Sequence, residues 1–222
     1  MVKKEPSSRI LNIVLVGSFN PAIISPGWLA LKKIISDEEA SNSKIDLIHR
    51  EVSKFEVSDC TYEIFLDRCS ITTKHAHLFE KLQDNVIKIF NFLKETPVVK
   101  VGFNWQSVYE FLESEHDDYV NFGHKHIPKE DFWNKHLKNP GLHDLKIESE
   151  RSDDYDGKYN FYIKKGNGRS VILHFNDHYE IKGENKNISD ASKAIELIDK
   201  NFSNSRDYAN EILKKLFEYG SD

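Results

Sequence analysis

The chain has 222 residues, a formal net charge of -5 and a pI near 6.1. Its 31 basic residues are interspersed among 36 acidic ones, so no strongly basic face is expected and nucleic acid is an unpromising partner. No apolar run approaches the ~18 residues that span a bilayer, and the start MVKKEPSSRILNIVLVG lacks a signal-peptide cleavage pattern, so a cytoplasmic protein without membrane association is expected.

A content of 39% hydrophobic and 12% aromatic residues suffices to bury a core, and the chain reads as one domain over 1–222. Cys60 and Cys69 lack CxxC spacing, which predicts free thiols and neither a disulfide framework nor a zinc finger.

In chain order, Leu11 to Phe19 is apolar on both sides and predicts a central strand. Gly17 within it predicts a bulge or a close backbone approach. Ser25 followed by Pro26 gives a helix start, with Trp28, Leu31, Ile34 and Ile35 as its stripe and EEASNSK as the closing loop. Ile45 to Val57 and Thr61 to Thr73 read as two long strands hinged at Ser58-Asp59. From His77 to Glu95 the period becomes helical, until Pro97 stops it.

Val98 to Phe111 alternates as a strand, and an acidic loop ESEHDDY follows. Pro128 predicts the start of a short helix carrying Phe132, Trp133 and Leu137, which Asn139, Pro140 and Gly141 end. Leu142 to Arg151 and Lys158 to Lys164 read as strands, the second joined by Lys165-Gly166-Asn167-Gly168 to the clearest strand of all, Ser170 to Lys182. Ser189 caps a helix, and Ser203-Asn204-Ser205 divides it from a last one.

In Ser170 to Lys182, Val171, Leu173, Phe175, Tyr179 and Ile181 share one face, broken by Asp177, and His174, Asn176, His178 and Glu180 share the other. Tyr62 to Thr72 echoes it, with Phe65, Asp67, Arg68 and Ile71 in the order of Phe175, Asp177, His178 and Ile181. Val101 to Asn104 similarly echoes Val16 to Asn20. The expected architecture is therefore α+β: a mainly antiparallel sheet from two pseudo-symmetric halves, 11–96 and 97–219, with helices on one face.

The segments VGSFNPAIISPGWL, FGHKHIPKEDFW, NPGLHDLKIESERSDDYDG and FNDHYEI resemble, in order and wording, a family of bacterial proteins without an assigned reaction. The resemblance covers most of the chain. It implies a bacterial source and carries no catalytic residue or cofactor; service in a phage-defence locus is the most specific setting it suggests.

Four sets of residues are candidates for a site. His174, His178 and Glu180 point from one strand face and could perform acid-base chemistry, with Arg68 expected to face His178 if the halves are related; a plain solvated sheet face explains the same alternation. Asn176 belongs to that ladder as a ligand-binding candidate. Trp105 and Trp133 could line a cleft between the halves, although aromatics at such positions are more often core. His124 and His126 have His-x-His spacing, which on a strand would turn two imidazoles toward one ion, but no third ligand stands at a fixed offset and surface histidines are the plainer account. Asp67 and Asp177 interrupt apolar faces and would be buried carboxylates, either catalytic or accepting structural hydrogen bonds.

Serine-hydrolase, P-loop and dinucleotide fingerprints are missing, and no cofactor is implied. The expected function is a non-enzymatic binding or assembly subunit with a protein partner or a homo-oligomeric form; the alternative is an enzyme working from the His/Glu/Arg strand face.

Overall fold

A computed structural model describes residues 4–128, 130–181 and 190–221. Among these residues nine strands form one antiparallel sheet. In chain order the elements are β1 (Ser8–Gly17), α1 (Pro26–Leu31), α2 (Asp37–Ser41), β2 (Lys44–Ile48), β3 (Val52–Val57), β4 (Cys60–Phe65), β5 (Arg68–Thr73), α3 (Phe79–Phe92) and β6 (Val98–Glu110). They continue as α4 (His116–His126), α5 (Glu130–His136), β7 (Asp144–Glu150), β8 (Gly157–Lys165), β9 (Ser170–Glu180) and α6 (Ala191–Ser221). The strand order is β2-β3-β4-β5-β1-β6-β9-β8-β7. This is the α+β class expected, with helices packed mostly on one side of the sheet.

The order follows from local chemistry. Strands joined by short turns pair with their neighbours in sequence, so β2 to β5 form one meander and β7 to β9 another. Each meander ends beside the strand that opened its half, β5 against β1 and β9 against β6, and β1 pairs with β6 at the centre. The Ser58-Asp59 turn holds both residues at positive φ, 49° and 60°, the backbone that two-residue hairpins demand. At Gly17 the register shifts, and a Cβ placed there would lie 2.0 Å from the carbonyl oxygen of Pro97, so the close approach expected of this glycine is realised.

Leu11, Ile13 and Leu15 of β1, Phe103 and Trp105 of β6, and Leu173 and Phe175 of β9 are buried on the helix-covered face. They meet Leu82, Val86, Ile89 and Phe90 of α3 and Ala194, Ile198 and Phe202 of α6 in one continuous core. Phe202 lies edge-on to Phe103 at 5.8 Å and tilted over Trp105 at 5.4 Å, while Tyr109 stacks on Phe217 at 3.9 Å. Aromatic pairs at these spacings add to the stabilisation from area burial. Cys60 and Cys69 are free and buried.

Several elements differ from expectation. The two long strands of the first half are four, because His49-Arg50-Glu51 and Leu66-Asp67 reverse the chain. EEASNSK is no loop: Ser36 and Glu39 form a reciprocal capping box that starts α2. The acidic stretch ESEHDDY opens α4, where Asp117 and Asp118 in the first turn and His124, Lys125 and His126 in the last match the helix dipole. The Ser203-Asn204-Ser205 break does not occur, and α6 runs unbroken for 31 residues. Ser205 is buried in it, its hydroxyl accepting from Trp105 Nε1 at 2.9 Å. Ser189 and Lys182 lie outside the described residues.

The residue matches that suggested a duplication also fail. Residues 62–72 turn back between β4 and β5, whereas 170–180 is one strand, so the two cannot superpose residue for residue. Val101 to Asn104 lies inside β6, while Val16 to Asn20 runs off the end of β1. At the centre the register instead sets Asn12 opposite Asn104.

Candidate functional site

The uncovered face of the sheet carries a continuous polar row. Successive strand pairings set Lys44 opposite Glu56, Glu56 opposite Thr61, Thr61 opposite Thr72, and Thr72 opposite Asn12. Asn12 faces Asn104, Asn104 faces Asn176, Asn176 faces Asn160, and Asn160 faces Glu148. One polar residue from each of the nine strands thus lies on a line across the sheet. Alternation places them together, since one face of each strand but the fully exposed edge strand β2 is turned to the core.

The middle of the row is wired by amides. Asn160 Nδ2 donates to Asn176 Oδ1 at 3.1 Å, Asn176 Nδ2 to Asn104 Oδ1 at 2.9 Å, and Asn104 Nδ2 to the Asn12 carbonyl at 3.3 Å. From the other side Ser70 Oγ donates to Asn12 Oδ1 at 3.0 Å. His174 Nε2 lies 3.2 Å from Asn104 Oδ1, and because that oxygen only accepts, Nε2 carries the proton. Gly102, one residue pair along, leaves a shallow notch whose nearest neighbour is the Asn176 amide, 3.3 Å from an added Cβ.

Charge is distributed unevenly over this face. Burial pushes the His174 imidazole down to about 4, with Lys164 adding to the effect, so it is neutral near pH 7. His178 is lowered too, first by burial and then by Lys100. Four ion pairs lie toward the margins, Lys44 with Glu56 at 3.4 Å, Lys54 with Glu63 at 3.0 Å, Lys158 with Glu148 at 2.6 Å and Lys100 with Glu180 at 3.4 Å, and Lys164 stands opposite Ile172 with its ammonium over the Tyr162 ring. Between them, Ile10, Val14, Asn12, Asn104, Gln106, Ile172, His174 and Asn176 form an uncharged, half-buried centre.

The residues singled out from the sequence separate into groups. His174, Asn176, His178 and Glu180 do share one face of β9, and His178 Nε2 lies 4.0 Å from Glu180 Oε1. Arg68 does not face His178: it stands opposite Val16, which stands opposite Lys100 and, beyond it, Glu180, so three strand spacings of about 4.8 Å separate Arg68 from Glu180. Trp105 is buried against α6, while Trp133 is 40% exposed on α5 with Nε1 donating to the Pro128 carbonyl at 3.1 Å. They do not meet around a cleft. His124 and His126 are on a helix, where a separation of two turns the rings to different sides; His126 is buried on Phe122 at 4.5 Å, and its Nδ1 lies 2.9 Å from the Phe122 carbonyl. Among the described residues no group of three or more His, Cys, Asp or Glu is placed to hold a metal ion.

Asp177 is buried as expected, whereas Asp67 is exposed in the β4–β5 turn. The partner of Asp177 was not evident from sequence: Arg151, in the loop before β8, bonds Asp177 and reaches Asp153 with Nε at 2.8 Å and Nη2 at 2.6 Å. The guanidinium lies 3.7 Å from the Tyr179 ring centre and 4.6 Å from that of Tyr159, and Tyr179 Oη donates to Asp177 at 3.0 Å. A buried carboxylate interrupting an apolar strand face was the available signal that a buried cation existed. This cluster is on the helix side and fastens the loop 151–156 to β9.

Sequence reasoning also missed a cavity of about 740 Å³ between α4, α5 and the end of the β8–β9 hairpin. Its wall needs α4, whose opening residues 116–119 were read as part of an acidic loop. No protein-family model matches the chain, and no curated protein matches it. Among the described residues no helix is long and apolar enough to cross a membrane.

Proposed function

We propose that the chain is a non-enzymatic assembly subunit that pairs with a second copy of itself through the open face of its sheet. The observation that carries this reading is the charge pattern of that face, an uncharged amide-rich centre within a margin of Lys-Glu pairs. Depletion of charge at the centre and polar residues at the rim is the anatomy of protein interfaces. A two-fold contact requires a patch complementary to itself, and carboxamides, which both donate and accept, satisfy that requirement with their own kind.

The area is adequate. Five central strands at about 4.8 Å spacing and the 11 residues of β9 at about 3.3 Å rise give roughly 24 by 36 Å, close to the ~800 Å² per partner of a standard interface. Two such faces would stack about 10 Å apart. The edges are less suited to pairing: β7 is charged (Asp144, Lys146, Glu148, Glu150), and β2 is short with an irregular register between Ile45 and Leu47.

A cytosolic setting belongs to the same reading and is supported by two buried free thiols, as expected in a reducing compartment. Membership of a bacterial multiprotein system, phage defence included, rests on the sequence resemblance. The enzyme alternative retains His178 and Glu180 but loses Arg68. Light scattering on the purified chain at tens of micromolar tests the proposal: a particle of twice 25.8 kDa is expected, and a strict monomer overturns it.

A further inference from the structure

We infer that the cavity between α4, α5 and the β8–β9 hairpin end is a binding site for a small organic anion with an apolar body. Its volume, about 740 Å³, falls in the range of roughly 300–1,000 Å³ that small-molecule sites occupy. The floor and walls are apolar where Val120, Phe122, Leu142, Ile163 and Val171 face it.

The charge of the lining points to the ligand's sign. Lys138, Lys165, His116 and His124 line the cavity, Lys164 lines it while holding its ammonium 5.1 Å from the Tyr162 ring centre toward the open sheet face, and no carboxylate is among the described lining residues. In a chain with 36 acidic residues against 31 basic ones, such a one-signed lining is a local exception. A concave wall of one sign concentrates ions of the other. The cations are lysines, point charges without the planar fork of arginine, so they suit a carboxylate, sulfonate or phosphate head alike.

Gly123 supplies an independent observation. It sits inside α4 and lines the cavity, and an added Cβ would meet nothing within 4 Å. Glycine in a helix interior is unfavourable relative to alanine, and no crowding demands it here. The missing side chain leaves ligand space.

A matched pair of dyes tests the inference on the full chain. 8-Anilinonaphthalene-1-sulfonate and N-phenyl-1-naphthylamine share one apolar body, and only the first is an anion. The sulfonate should bind at one site at least tenfold more tightly than the neutral dye, and decanoate should displace it. Lys138→Glu with Lys165→Glu should weaken the sulfonate at least tenfold and leave the neutral dye unchanged. Gly123→Ala should raise the thermal midpoint while weakening both dyes, and Gly123→Leu should abolish both with near-ultraviolet dichroism unaltered. Equal affinity for the two dyes, indifference of the sulfonate to the lysine reversals, or undiminished binding in Gly123→Leu would each overturn the inference. These outcomes do not depend on whether the sheet face self-associates.

Discussion

Replacing His174 by Gln probes the uncharged centre of the sheet face. The folded imidazole is held to about 4 by burial, against an unfolded value of 6.5. Between those limits the unfolded chain binds the extra proton, so this group's contribution to stability is complete above about pH 6.5 and is lost as pH falls toward 4. At about 1.4 kcal/mol per pH unit the whole loss is ~3 kcal/mol. Glutamine keeps a donor for Asn104 Oδ1 but cannot titrate, so the variant should lack that share of the acid loss. Urea unfolding of both proteins in steps from pH 7.5 to 4 measures the difference, in which the other ionisable groups largely cancel. Parallel curves, or an imidazole that titrates near 6.5 by NMR, would refute the reasoning.

Other consequences concern the scaffold. Asp177→Ala leaves the buried Arg151 guanidinium with Asp153 as its remaining carboxylate partner and removes the acceptor of Tyr179; a cost of about 1–3 kcal/mol is expected, read as a melting point lower by roughly 2–12 °C. Replacing both ions, Arg151→Met with Asp177→Leu, should recover much of that loss, and a double variant no better than the single one would contradict the burial argument. Ser205→Ala leaves Trp105 Nε1 without its acceptor and should cost about 1–3 kcal/mol in chemical denaturation. Glu39 is held at about 2, first by its bond to Lys81, so its stabilisation is full above about 4.5 and fades as pH falls toward 2; Glu39→Gln should differ from the parent at pH 6 and converge with it near pH 2.

What could be read in advance follows a physical division. Period-two alternation is imposed by the core, so β1, β6 and β9 and the ladder His174, Asn176, His178 and Glu180 were legible without coordinates. The Ser25 and Ser58-Asp59 signals worked because caps and turns are local chemistry. The turn at Leu66-Asp67 was hidden by β-rich flanks, and joining β4 to β5 produced a false resemblance to β9. Asn12, Asn104 and Asn160 could not be placed beside Asn176, because that depends on the register of four strands. The unbroken α6 was concealed by Ser205, a helix-weak residue kept inside by Trp105 from 100 positions away. The basic cavity depended on recognising α4, whose acidic opening resembled a solvated loop.

The central claim is that the open sheet face meets its own copy, and Val14→Arg tests it most directly. Val14 lies in the middle of that face, half-buried, directly opposite Gly102 and outside the amide chain, so an arginine there puts a charge at the uncharged centre without cutting a hydrogen bond described for the row. Sedimentation equilibrium should find the parent chain dimeric and Val14→Arg at least 100-fold weaker in association, with Lys88→Glu, exposed on α3 on the helix side, unchanged. Equal association of Val14→Arg and parent, or a parent that sediments as a 25.8 kDa monomer, would contradict it.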